Sequence, residues 1–220
     1  MAGRLILLRH GQTHSNVNRR LDTRPPGAEL TANGRAQARE VGLELATYSR
    51  LSTVASSVAL RAQQTAVLAV RAYEEASGLP ENSQRIDVVP GIHEVFAGDL
   101  ELLSDEKSHL HYFQALRGWL AGDKLAATPG GETFVDVVGR FRPVLENLVA
   151  ENLADGQEGD VLVVSHGAAL RTVATHATGV DPDYAFAGYL GNCRFIVLDP
   201  VDKEFGQWEI LRWADGDLPG

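Results

Sequence analysis

The chain has 220 residues, 44% of them hydrophobic and 22% charged, which is enough to bury one sizeable core and makes one domain over 1–220 the expectation. A formal net charge of -9 argues against a nucleic-acid binder, whose footprint is a basic stripe, so any anion site has to be built locally. One cysteine, Cys193, excludes an intramolecular disulfide, and no run approaches the roughly 20 apolar residues of a membrane span.

The first element is the apolar run Leu5-Ile6-Leu7-Leu8, bounded by Arg4 and Arg9, which reads as a strand covered on both faces. It ends on Arg9-His10-Gly11, at the strand end where open α/β sheets bind ligands. Thr31 is placed to cap a helix over ANGRAQAREVGLELATY, and TVAS at 53–56 reads as a short strand. LRAQQTAVLAVRAYEEAS is Ala-rich and helical up to Gly78, and RIDVV is a further strand. From 92 to 130 the pattern loosens around a helical middle, which suits a small cap insertion over the sheet edge. The next helix is expected from Glu132 to Leu153, kinked or restarted at Pro143. GDVLVVSH is a second apolar strand, AALRTVATHATG a helix, and CRFIVL and QWEILRW closing strands. This alternation predicts an α/β three-layer sandwich, a mostly parallel sheet flanked by helices.

Two apolar strands each deliver a histidine followed by glycine, His10-Gly11 and His166-Gly167, to the same sheet edge. Gly167 opens a helix, so its region is expected to offer unpaired N–H groups to an anion. Arg61 stands at a strand-to-helix junction, and Arg9 and Arg61 can each fork two hydrogen bonds onto phosphate oxygens. His93, His109 and His111 do not read as a metal site, because HLH spacing splays two side chains on a helix. Trp119, Trp208 and Trp213 read as packing, Asp99, Glu101, Asp105 and Glu106 as a solvated acidic rim, and Cys193 as a buried thiol in a reduced, cytoplasmic compartment.

The ordered set LRHGQTHSN, LTANGRAQA, SSVALRAQQTA, Glu94 in GIHEVFAGDLE, PGGET and VVSHG resembles the histidine phosphatase superfamily, the phosphoglycerate mutase-like group. The resemblance runs from Leu8 to Gly167, about three quarters of the chain. It implies a phosphohistidine intermediate and no metal or organic cofactor. By position it makes His10 the nucleophile and Glu94 the proton donor, with Arg9, Arg61 and His166 forming the phosphate pocket. Asn16 becomes a further phosphate contact, and Gln12, Asp22 and Thr23 secondary ones.

The chemistry fits those residue types. A neutral imidazole can attack phosphorus, and fixed donors stabilise the charge spread over the transferring group. Arg9, Arg61, the backbone near Gly167 and a protonated His166 are expected to supply them, while a protonated Glu94 serves the leaving alkoxide. The leading expectation is a metal-independent phosphomonoesterase acting on small phosphorylated metabolites, with homodimerisation left open and neither nucleic acid nor membrane as partner. The alternatives are a cofactor-dependent phosphoglycerate mutase and a non-catalytic phosphate-binding or interaction module. Mutases of this family carry an adjacent arginine pair after the catalytic glutamate and a tyrosine three residues beyond it. Here 95–129 holds Arg117, Lys107 and Lys124 as its only Lys or Arg residues, with no such pair, and Ala97 stands three beyond Glu94, which favours the phosphatase.

Overall fold

The computed structural model describes residues 3–153 and 158–218. The elements in chain order are β1 (Leu5–Arg9), α1 (His14–Val17), α2 (Ala32–Tyr48), β2 (Leu51–Ser57), α3 (Leu60–Ala76) and β3 (Ile86–Val89). After a 3-10 turn at Gly98–Leu100 come α4 (Glu106–Ala121), α5 (Phe134–Asn152), β4 (Asp160–Ser165), α6 (Gly167–Thr178), α7 (Pro182–Ala187), β5 (Phe195–Asp199) and β6 (Glu209–Trp213).

The six strands form one sheet in the order β3-β2-β4-β1-β5-β6. The β3, β2, β4 and β1 strands run parallel, while β5 is antiparallel to both neighbours. Period-two alternation divides the apolar strands between two layers. Leu5, Leu7, Val161 and Val163 pack with residues of α4, α5 and α6, whereas Ile6, Leu8, Leu162 and Val164 pack with α2 and α3. Leu5 to Leu8 are fully buried, each contributing about 1.5–3 kcal/mol of transfer free energy. The expected three-layer α/β sandwich with a mostly parallel sheet is thus the observed one.

Thr31 caps α2 as expected, its side chain accepting from the Gly34 N–H. The helix expected from Glu132 begins two residues later, because Thr133 and Asp136 form a reciprocal capping box. Glu132 instead accepts from the Phe96 N–H and pairs with Arg140. Pro143 does not interrupt α5. It lies on the exposed face, where the Gly139 carbonyl that loses its helical partner meets water. Within 92–130, α4 is capped by Asp105 and ended by left-handed Gly122, and its Tyr112, Leu116, Trp119 and Leu120 join the core beneath the sheet.

Candidate active site

The last residue of β1, Arg9, stands in register with Ser165, the last of β4, so the two histidines that follow emerge side by side. The His10 N–H donates to the Ser165 carbonyl at 3.0 Å. His10 Nδ1 lies 2.8 Å from the Gly11 carbonyl, an acceptor only, so Nδ1 carries the proton and Nε2 keeps its lone pair. Burial, then the charges of Arg61 and Arg9, push His10 well below the ordinary histidine range, which keeps the ring neutral and nucleophilic.

The two rings meet edge-on, with centroids 5.2 Å apart. His166 Nδ1 accepts from Arg61 Nε at 3.3 Å, so its proton sits on Nε2, which donates to Ser57 Oγ at 2.9 Å. Burial and the neighbouring Arg61 also push His166 well below its ordinary value. This corrects the expectation of a protonated His166: here the ring is neutral, both its nitrogens are engaged, and the positive charge comes from the arginines.

Arg61 is 2% exposed. Its Nη1 has no hydrogen-bond partner and stands 3.8 Å from Asp22 Oδ1. Gly27, with φ of +67°, allows this approach, since a Cβ there would fall 2.0 Å from Arg61 Nη1. Arg9 gives Nη1 to Tyr189 Oη at 2.9 Å and to the Leu190 carbonyl at 2.6 Å, while its buried Nε is likewise unpartnered. A buried donor left unpaired costs about 1–3 kcal/mol, and both arginines line one cleft, where their charge favours an anion.

Glu94 stands where the resemblance placed a carboxyl group, at the wall of the same cleft. Its Oε1 accepts from the N–H groups of Val95 (2.9 Å) and Ala169 (2.8 Å), and its Oε2 from Ala168 (3.2 Å). Two first-turn N–H groups of α6 are therefore already taken by Glu94, which corrects the expectation that this helix start offers them to an anion. Gly167 keeps a different role: its backbone packs on Arg9, where a Cβ would come within 3.1 Å of Nε.

The cleft has a volume of about 360 Å³, and its walls bring together Arg9, His10, Arg61, Glu94, Gly167, Asn16, Gln12, Asp22 and Thr23. Asn16 Oδ1 accepts from the Thr13 N–H and from Asn192 Nδ2, which leaves the Asn16 amide nitrogen as a donor. Gln12 Oε1 accepts from Thr31 Oγ1 at 2.9 Å. Asp22 Oδ2 accepts from Ser15 Oγ and the Ala28 N–H. The Thr23 hydroxyl spends its one hydrogen on Glu101 and accepts from the Ala97 N–H, so Thr23 acts as a tether and Glu101 is not part of a solvated rim.

Outside the sequence reading are Ser57, Tyr189, Asn192 and three arginines that line the cleft, Arg19, Arg20 and Arg171. Arg171 had a signal, standing one turn beyond Gly167 on the same helix face; the 188–192 loop carries no periodic pattern. Arg117 lies off the cleft, paired with Asp183 at 3.2 Å. His109 Nε2 contacts the Arg19 carbonyl at 2.6 Å, His93 stacks on Phe96, and Trp119, Trp208 and Trp213 are buried in the core. A larger cavity of about 720 Å³ lies beyond the 188–194 loop, walled by Glu40, Glu44, Asp215 and Asp217. It contains no histidine, and burial pushes the thiol of Cys193 on its wall up to about 12.

The chain is 30% identical to a glucosyl-3-phosphoglycerate phosphatase of Mycolicibacterium vanbaalenii, over 96% of its own length and 91% of the relative's. It is 25% identical to a 2,3-bisphosphoglycerate-dependent phosphoglycerate mutase of Gloeothece citriformis, over 82% and 86% respectively. The solved structure of a mycobacterial glucosyl-3-phosphoglycerate phosphatase in complex with VO3 superposes with a TM-score of 0.77 at 29% identity, covering 98% of this chain and 100% of that one. The family model described as the histidine phosphatase superfamily (branch 1) matches residues 5–216, and the chain belongs to that family.

Proposed function

We propose that the chain hydrolyses small phosphomonoesters through a phosphohistidine at His10, without a metal. The observation that carries this reading is a neutral His10, its Nε2 lone pair free, beside two buried arginine nitrogens with no partner, Arg9 Nε and Arg61 Nη1. A phosphoryl dianion in the cleft is held by the charges of Arg9 and Arg61, both of which line it. Nε2 attacks phosphorus, the ester P–O bond breaks, and the electron pair leaves with the substrate oxygen, which takes its proton from Glu94. Water then attacks the phosphohistidine, gives a proton back to Glu94 and releases inorganic phosphate. His166 supports the step by holding Arg61 Nε, and Asn16 offers its amide nitrogen to a phosphate oxygen.

Phosphatase relatives at 30% identity, against 25–28% for the mutases, support hydrolysis over transfer. A cytoplasmic setting is part of the proposal, supported by a lone cysteine that is a buried free thiol. Membrane helices do not enter it: among the described residues no helix is long and apolar enough to cross a membrane.

His10→Ala is expected to abolish phosphate release, and the unmodified protein quenched during turnover to carry an acid-labile phosphate on His10. Full activity in the alanine variant would overturn the mechanism. Incubation with 3-phosphoglycerate and catalytic 2,3-bisphosphoglycerate is expected to release inorganic phosphate; rapid formation of 2-phosphoglycerate without release would make the chain a mutase.

A further inference from the structure

Resting on the phosphatase reading, we propose that Asp22 weakens the hold of the phosphate pocket on its anion, so that inorganic phosphate leaves after each hydrolysis. Asp22 lines the cleft with Arg9, His10 and Arg61, and the side chains of Asp22 and Arg61 are 7% and 2% exposed. Asp22 Oδ2 accepts from Ser15 Oγ at 2.7 Å and from the Ala28 N–H at 2.8 Å, which fixes the carboxylate in place. Oδ1 then stands 3.8 Å from Arg61 Nη1, an ion pair too long for a hydrogen bond. Burial weakens the hold of Arg61 on its proton, and of the carboxylates that oppose this Asp22 acts most strongly, ahead of Glu94 and Glu101.

The structural ion pair of this molecule looks different. Arg4 meets Asp160 through two hydrogen bonds, Nε to Oδ1 at 3.1 Å and Nη2 to Oδ2 at 2.7 Å. Asp22 faces Arg61 without such a fork, so the guanidinium is neutralised only in part and stays open to a second anion. The resemblance makes Asp22 a phosphate contact, yet a carboxylate has no hydrogen to give a dianion, and like charges repel. An oxygen hydrogen-bonded to Arg61 lies within about 9 Å of Asp22, comparable to the physiological Debye length of about 8 Å, and burial of the pair reduces screening further. The consequence falls on substrate and product alike. Arg9 and Arg61 grip inorganic phosphate as they grip the phosphate of the ester, and product that stays bound blocks the next turnover. Asp22 lowers both affinities, and release is the faster for it.

Asp22→Asn keeps a carbonyl oxygen for Ser15 and Ala28 and replaces the charge by an amide. Calorimetric titration with inorganic phosphate at neutral pH is expected to show binding at least about fivefold tighter than in the unmodified protein, the least that a unit charge facing a dianion at that distance contributes in bulk water. In steady-state hydrolysis of nitrophenyl phosphate, KM and the inhibition constant for phosphate should fall together, with no gain in kcat. Asp22→Ala also gives up the bonds to Ser15 and Ala28, and once circular dichroism shows it folded it should bind phosphate more tightly as well. If Asp22 serves only to position Arg61, the sign reverses: phosphate binds more weakly and KM rises. Weaker or unchanged binding in Asp22→Asn overturns the inference, and in Asp22→Ala it does so should Asp22→Asn not fold. Tighter phosphate binding in Asp22→Asn, with no turnover of nitrophenyl phosphate by the unmodified protein, would uphold the charge effect and defeat the phosphatase reading instead.

Discussion

Glu94 takes three backbone N–H groups on its two oxygens, out of about four acceptor positions a carboxylate offers. The side chain is thus anchored to the start of α6 while standing at the cleft wall. Glu94→Gln removes the proton and sets an amide NH2 against at least one of these N–H donors, so kcat on alkyl phosphates should fall by about 10²–10⁴-fold. Nitrophenyl phosphate, whose leaving group needs no proton, should lose far less; equal losses would put the proton donor elsewhere. Strand ends and helix starts located His10, Arg9, Arg61 and His166 in the sequence, whereas Glu94 came from the resemblance alone. Ser57, Tyr189 and Asn192 were not legible there, since their roles arise from what a loop or neighbouring strand brings near. The protonated state expected for His166 failed for a related reason: its burial and the orientation of Arg61 Nε are tertiary facts.

At the scale of elements, the long helices and the apolar strands came through with boundaries shifted by one to a few residues, whereas α1 and α7 did not. Helices of four and six residues show too little periodicity to be read. What holds the segment after α1 is a side chain 78 residues away: Glu101 accepts from the Thr23 N–H at 2.9 Å, from the Arg24 N–H at 3.1 Å and from the Thr23 hydroxyl. No local pattern announces such a clamp, which explains why Glu101 looked like a solvated acid. Glu101→Ala should lower unfolding free energy by about 1–3 kcal/mol, measured in denaturant. It should also raise KM, because Arg20, Asp22 and Thr23 line the cleft. An unaltered KM would show that the clamp serves stability alone.

For the molecule as a whole, the two buried histidines tie stability to acidity. Both take up a proton less readily in the folded chain than the ordinary value of 6.5. Below pH 6.5 the unfolded chain therefore binds protons that the folded chain refuses, and stability falls as pH drops toward the folded-state values. Melting temperature should decline on this side of neutrality, and His166→Gln should melt lower at neutral pH but with a shallower decline; an unchanged slope would assign the loss to other groups. The sheet order described above also bears on how the chain is made. The β1 strand emerges first in synthesis, yet its hydrogen-bonding neighbours are β4 and β5, and Arg4 meets Asp160 across 156 residues. At about 5–20 residues per second, Leu5 to Leu8 wait on the order of 10–30 s for partners. Throughout that interval a sticky stretch of four apolar residues is presented to the ribosome surface and to chaperones, with His10 beside it and His166 not yet made.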